Sequence, residues 1–189
     1  MWKRVLIAVF VMIVMIVMIT LFNNKTIEEF ELTKVKYKGN KYNVVDFEND
    51  NDSMMSAKTL EEILSRVNKL IDILNSMNFN NKRNKHWTPK NITENLAESG
   101  QTSYSVNKGE EIALCLRDSS NKLHDINTLM FVAIHELAHN YNNEIGHTDK
   151  FWRLMKEIIK IADTHGLYKP INYNLYPTDY CGITINSTP

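Results

Sequence analysis

Cysteine is scarce in this chain: Cys115 and Cys181 are the two present among 189 residues. Two are too few for a disulfide-rich scaffold or for a zinc site made of cysteines alone. Cys115 is expected to be a core thiol, and Cys181, in Tyr180-Cys181-Gly182, has no second cysteine motif that would give it a metal role. Neither sign of charge is in surplus, with 22 Lys and Arg against 22 Asp and Glu. Lys3 and Arg4 fall in the first 22 positions, which hold no acid, so the other 167 residues carry 20 basic and 22 acidic groups, a net charge of −2. A protein held to nucleic acid mainly by charge needs a basic excess or a strong local patch. Nucleic acid is therefore a possible partner that the net charge does not support. Internal repeats are absent, and so is low-complexity sequence outside the N-terminal apolar run. With 43% hydrophobic and 23% charged residues, a disordered or collagen-like chain is also excluded. The length fits one domain and an accessory segment. Asparagine is abundant, 23 residues, which we read as a mark of AT-rich coding sequence and not as chemistry.

The run from Val5 to Phe22 is apolar apart from Thr20 and has no charge. As a helix its 18 residues would span about 27 Å, close to the thickness of a bilayer core. It is apolar all round, unlike an amphipathic surface helix. A cleaved signal peptide fits less well, because the run exceeds a usual h-region and Leu21-Phe22-Asn23-Asn24 offers no small-x-small cleavage site. The expectation is a single-pass membrane protein with an N-terminal transmembrane anchor over 1–22, a juxtamembrane linker over 23–33 and a catalytic domain over 34–189. Lys3 and Arg4 compete with Lys25, Lys34, Lys36 and Lys38, so the flanks leave the side of the catalytic domain open.

Beyond the linker, Lys34 to Phe47 alternates polar and apolar residues around Gly39-Asn40, the pattern of a hairpin. Asn49 to Ser53 reads as a polar turn. From Ala57 to Met77, Leu60, Ile63, Leu64, Val67, Leu70, Ile71 and Leu74 recur at helical spacing and form an apolar stripe that needs a partner. Asn78 to Pro89 is a polar connection containing Lys82-Arg83-Asn84-Lys85-His86-Trp87, and Tyr104 to Asn107 and Ile112 to Arg117 read as strands.

Asp125 is an expected N-cap. After it Ile126, Leu129, Met130, Ala133, Ile134, Leu137, Ala138 and Tyr141 follow helical spacing over much of the circumference, which predicts a central helix. Within it lies His135-Glu136-Leu137-Ala138-His139. Histidines at i and i+4 share a helix face, so their imidazoles can converge on one zinc ion. Glu136, next to the first of them, can reach a water activated by that metal and act as general base. Chance would produce HExxH in roughly one chain in eighty of this composition. Its apolar flanks would also bury the helix and leave two unliganded histidines unsatisfied.

A catalytic zinc site has three protein ligands and one open position. The third is sought among His86, His124, His147, His165 and Glu144. His147 is best placed, because Gly146 allows a reversal after the motif helix and Thr148 can cap the next one. That helix would carry Phe151, Trp152, Met155, Ile158, Ile159 and Ala162 on one face and stop at His165-Gly166. Glu144 follows His139 closely, His165 suits a helix C-terminus, and His86 and His124 read as loop residues.

His135-Glu136-Leu137-Ala138-His139, a short spacer and Gly146-His147-Thr148-Asp149-Lys150-Phe151-Trp152 resemble the WLM metallopeptidases, and more loosely the SprT/Spartan group. The segments Thr102 to Gly109 and Tyr180-Cys181-Gly182 resemble WLM-like proteins of large DNA viruses. The resemblance implies an α+β, zincin-like domain, expected here with a small antiparallel sheet and about three helices behind the N-terminal transmembrane helix. It implies Zn2+ held by His135, His139 and His147, with Glu136 catalytic and a polypeptide as substrate. It also implies substrates linked to DNA.

Ile112 to Leu116 could be a sheet edge for an extended substrate or an internal strand. One of Tyr168, Tyr176 and Tyr180 could donate to an oxyanion, although packed tyrosines are commoner. The basic cluster with Trp87 reads as a solvated loop before a nucleic-acid contact. The expected function is that of a membrane-anchored zinc metallopeptidase. The alternatives are a non-catalytic binding protein braced by zinc and a DNA-stimulated protease of protein–DNA adducts.

Overall fold

The computed structural model of the protein describes residues 31–189 other than 48, 97–101 and 108. Strands β1 (Leu32–Tyr37) and β2 (Asn40–Val45) form the expected hairpin about Lys38-Gly39, paired from Leu32 with Val45 to Tyr37 with Asn40. Helix α1 (Asp50–Ser76) starts earlier than its apolar stripe, because Asn49 caps it by accepting from the Asn51 amide at 3.0 Å. The expected polar turn at Asn49 to Ser53 is thus the cap and first turn of a helix. Ala57, Leu60, Ile63, Leu64, Val67, Leu70, Ile71 and Leu74 are buried along its inner face. Each large one contributes about 1.5–3 kcal/mol relative to exposure.

Strand β3 (Ile92–Asn95) follows, then β4 (Ser103–Val106) and β5 (Glu111–Cys115). The sheet order is β1-β2-β3-β5-β4. β3 runs parallel to both β2 and β5, whereas β4 pairs antiparallel with β5. The antiparallel sheet expected from the sequence is therefore a mixed one. Its cause is α1, the long crossover that a parallel connection from β2 to β3 requires. β3 looks polar in sequence because it carries Glu94, only 2% exposed. That carboxylate accepts from the Val45 amide at 2.9 Å and the Ser56 hydroxyl at 2.9 Å, and lies 3.7 Å from the Arg117 guanidinium.

Among the described residues, helices α2 (Ile126–Tyr141) and α3 (Asp149–Thr164) complete an α+β fold with three α-helices. α2 packs against α1, α3 and strands β4 and β5, which makes it central as expected. A short hairpin, β6 (Thr178–Tyr180) with β7 (Ile183–Ile185), ends the fold. Cys181 in its turn is disulfide-bonded to Cys115 of β5, Cα to Cα 6.2 Å. Cys115 is accordingly not a core thiol. Cysteines 66 residues apart gave no local sign of pairing.

The expected single-pass membrane localisation is corrected here: among the described residues, no helix is long and apolar enough to cross a membrane. α1 has the length, 27 residues, but its outer face carries Lys58, Glu62, Lys69 and Asp72. α2 is apolar but only 16 residues long. The run Val5 to Phe22, on which the anchor was read, lies outside the described residues.

Candidate metal centre and cleft

Asp125 caps α2, accepting from the Asn127 amide at 2.8 Å. Leu129, Met130, Ala133, Ile134, Leu137, Ala138 and Tyr141 are buried and fix the rotation of the helix. That rotation leaves His135 and His139, one turn apart, on the face toward α3, only partly covered. The helix stops at Asn142, and the chain turns through Gly146, at φ +81°, a conformation that glycine adopts at little cost. Thr148 then caps α3, accepting from the Phe151 amide at 3.4 Å. His147 is held between turn and cap, and Phe151 is buried beneath all three imidazoles, with ring centroids 4.9, 4.3 and 4.8 Å from those of His135, His139 and His147.

The side chains converge. Nε2 of His147 lies 2.9 Å from Nε2 of His135 and 3.2 Å from Nε2 of His139, and one ligand nitrogen from each of the three lies within 4.8 Å of the others. A tetrahedral zinc with Zn–N of 2.0–2.1 Å sets its ligands about 3.3 Å apart, so the nitrogens fit that ion. Burial first, then the neighbouring His139 and His147, push the His135 pKa down to about 3, and burial lowers that of His139 too. Neutral imidazoles keep the lone pairs that a cation requires.

Glu136 is 6% exposed, and burial raises its carboxyl to about 7. It faces a cleft of about 380 Å³ shared with His135 and His147. Ser103 of β4 and Tyr180 of β6 line the same cleft. The Tyr180 hydroxyl lies 2.6 Å from the Ser103 hydroxyl, which also accepts from the Cys115 amide.

The other candidate ligands are engaged elsewhere. Glu144 accepts from the Thr148 hydroxyl at 2.6 Å and faces Lys150. His86 meets Asp72, His165 is the C-cap of α3, and His124 packs on the Tyr180 ring while accepting from the Cys181 amide at 3.3 Å. Of the three tyrosines, Tyr180 alone lines the cleft; Tyr168 is buried against Phe131, and Tyr176 is exposed. Trp87 is in the core, its backbone bonded to the Asn68 side chain, and offers no face for a nucleic-acid base. β5 lies inside the sheet, so the terminal strand beside the cleft is β4 and not Ile112 to Leu116. Sequence reading also missed the Glu94–Arg117 pair under β3 and the wall formed by β6–β7, neither of which has a local signature.

The WLM domain family profile matches residues 43–168. An uncharacterized protein of Acanthamoeba polyphaga mimivirus is 30% identical over 191 aligned positions, covering 96% of this chain and 95% of the relative. An uncharacterized protein of invertebrate iridescent virus 6 is 38% identical over 93 residues, 46% of this chain and 52% of that protein. Among solved structures, Wss1 from Saccharomyces cerevisiae aligns with a TM-score of 0.49 at 23% identity, over 65% of this chain and 89% of that one.

Proposed function

We infer that this chain, which belongs to the WLM-domain family, is a zinc-dependent peptidase with its metal held by His135, His139 and His147 and its general base at Glu136. The domain that does this is taken to run from 34 to 189. The observation that carries the reading is the meeting of three imidazole nitrogens at the edge of a cleft that the buried Glu136 carboxyl also lines. A zinc ion held there would polarise a peptide carbonyl and acidify water in the site.

The rest is the work of the chain's own residues. Phe151 and the Gly146 turn fix the three imidazoles before any metal arrives, which lowers the ordering cost of binding it. Glu136 takes a proton from the attacking water as the water oxygen bonds to the peptide carbon. It then returns that proton to the amide nitrogen as the carbon–nitrogen bond breaks. A carboxyl near neutrality suits both transfers. Among the described residues, β4 has a neighbouring strand on one side only, and its Ser103 and the preceding Thr102 line the cleft. An extended polypeptide can add to that edge and lay its carbonyls past the site. A zinc ion that merely braced α2 against α3 would have no use for a buried carboxyl beside it.

Glu136→Gln tests this. The variant should keep its zinc and its circular dichroism spectrum and lose roughly 10²–10⁴-fold in peptide hydrolysis, the share that a positioned base contributes. Turnover equal to wild type would sink the mechanism.

A further inference from the structure

The cleft continues past the metal centre, and what lines it is selective. Phe131 and Val132 sit one turn before His135 and Glu136 on α2, and so on the same face of that helix. Both line the floor of the cleft. Trp152 of α3 forms one side, its indole stacked on His147 with centroids 5.4 Å apart and planes at 24°. Ile183 and Ile185 of β7 line the cleft as well, and Ile183 is half-exposed at 51%. Among the described residues lining this cleft, Glu136 is the only carboxylate and there is no lysine or arginine. Away from Glu136, a charged side chain seated against Phe131, Val132 and Ile183 would lose its water with no paired charge beside it.

A wall can select only if it stays in place. Strands of three residues cannot hold a hairpin by themselves. This hairpin is tied at three points: by the Cys115–Cys181 bond, by Tyr180 through Ser103 and His124, and by Thr188. The Thr188 hydroxyl accepts from the Tyr173 amide at 2.8 Å and donates to the Ile171 carbonyl at 3.2 Å. The tethers lie on both sides of Ile183–Ile185, so the apolar wall is preorganised. At about 380 Å³ the space is at the small end of ligand pockets, fit for one large side chain of an extended peptide.

We propose that Phe131, Val132, Trp152, Ile183 and Ile185 form a specificity subsite that takes a large aliphatic or aromatic side chain of the substrate beside the bond to be cut. The proposal rests on the peptidase reading for the phrase "bond to be cut", but the subsite itself is a binding claim and is tested as one. The probes are five soluble peptides identical except for one central Phe, Leu, Ala, Asp or Lys. Binding to zinc-loaded, full-length Glu136→Gln is measured by calorimetry, and the bond cut by wild type is located by mass spectrometry. The Phe and Leu peptides should bind at least tenfold more tightly than the Ala peptide and more tightly still than the Asp and Lys peptides, with cleavage next to Phe or Leu. Ile183→Asp, checked for zinc content and circular dichroism, should erase the Phe-over-Ala preference, and Ile185→Ser should reduce it. Equal binding of all five peptides, or an unchanged preference in Ile183→Asp, would overturn the subsite. Selective binding without cleavage by wild type would support the subsite and refute the peptidase reading.

Discussion

Cutting the Cys115–Cys181 bond tests how the cleft wall is held, and its size can be worked from the fold. The bond joins residues 66 apart in sequence, so it closes a loop of that length in the unfolded chain. The loop-closure relation, −2.1 − 1.5R ln n cal/mol/K, then gives about 4 kcal/mol at 25 °C. Domains of this size have a total stability of about 5–15 kcal/mol, so the reduced chain should still fold. At about 2–4 °C per kcal/mol, the thermal midpoint should fall by roughly 8–16 °C. The assay is thermal unfolding of the zinc-loaded full-length chain with and without a phosphine reductant, with thiols counted by alkylation under denaturing conditions and intact mass. No alkylation is expected before reduction and two additions after it. Two additions to the unreduced chain would show that the bond does not form. Complete reduction with no shift of the midpoint would refute the loop argument.

Two further outcomes bear on the metal centre. His147→Ala should lose zinc affinity by more than the roughly 10–100-fold that loss of a ligand's supporting partner costs, whereas Glu144→Gln, whose carboxylate is engaged by Thr148, should stay within it. Metal content after dialysis against a weak chelator decides, and zinc lost from Glu144→Gln but kept by His147→Ala would overturn the ligand set. The second outcome concerns the metal-free chain, where burial lifts the Glu136 carboxyl from its ordinary 4.5 to about 7. The folded state then binds a proton that the unfolded state releases, so this contribution to stability is complete below about pH 4.5 and lost as pH rises through 7. A shift of that size is worth about 3 kcal/mol. Metal-free Glu136→Gln should accordingly gain about that much on wild type between pH 4 and 8 in urea unfolding, and parallel pH profiles for the two would refute it.

The three-histidine cluster was legible because local rules build it. Helical spacing set the rotation of α2, the i and i+4 histidines followed from it, and Asp125, Gly146 and Thr148 marked where the chain caps, turns and caps again. All of that lies within 125–152. The start of α1 was misread for a physical reason: residues that cap helices also build turns, and Asn49-Asp50-Asn51-Asp52 suits both. The buried Ser56 gave no helical signal either, since its partner, Glu94, is 38 residues away.

The rest of the cleft lining depends on distant pairings that no local pattern announces. β3 goes unassigned in sequence because its buried carboxylate finds partners on β2, on α1 and at Arg117. Without β3 the parallel crossover was not visible, and the terminal strand could not be placed at β4. The hairpin wall escaped for the same reason, since its tethers reach back to Ser103, Cys115 and His124. The three histidines and Glu136 lie in one continuous segment and can be read from it. The proposed subsite depends on contacts between segments, so Ile183 and Ile185 came into view only when the fold brought them to the same cleft as Trp152.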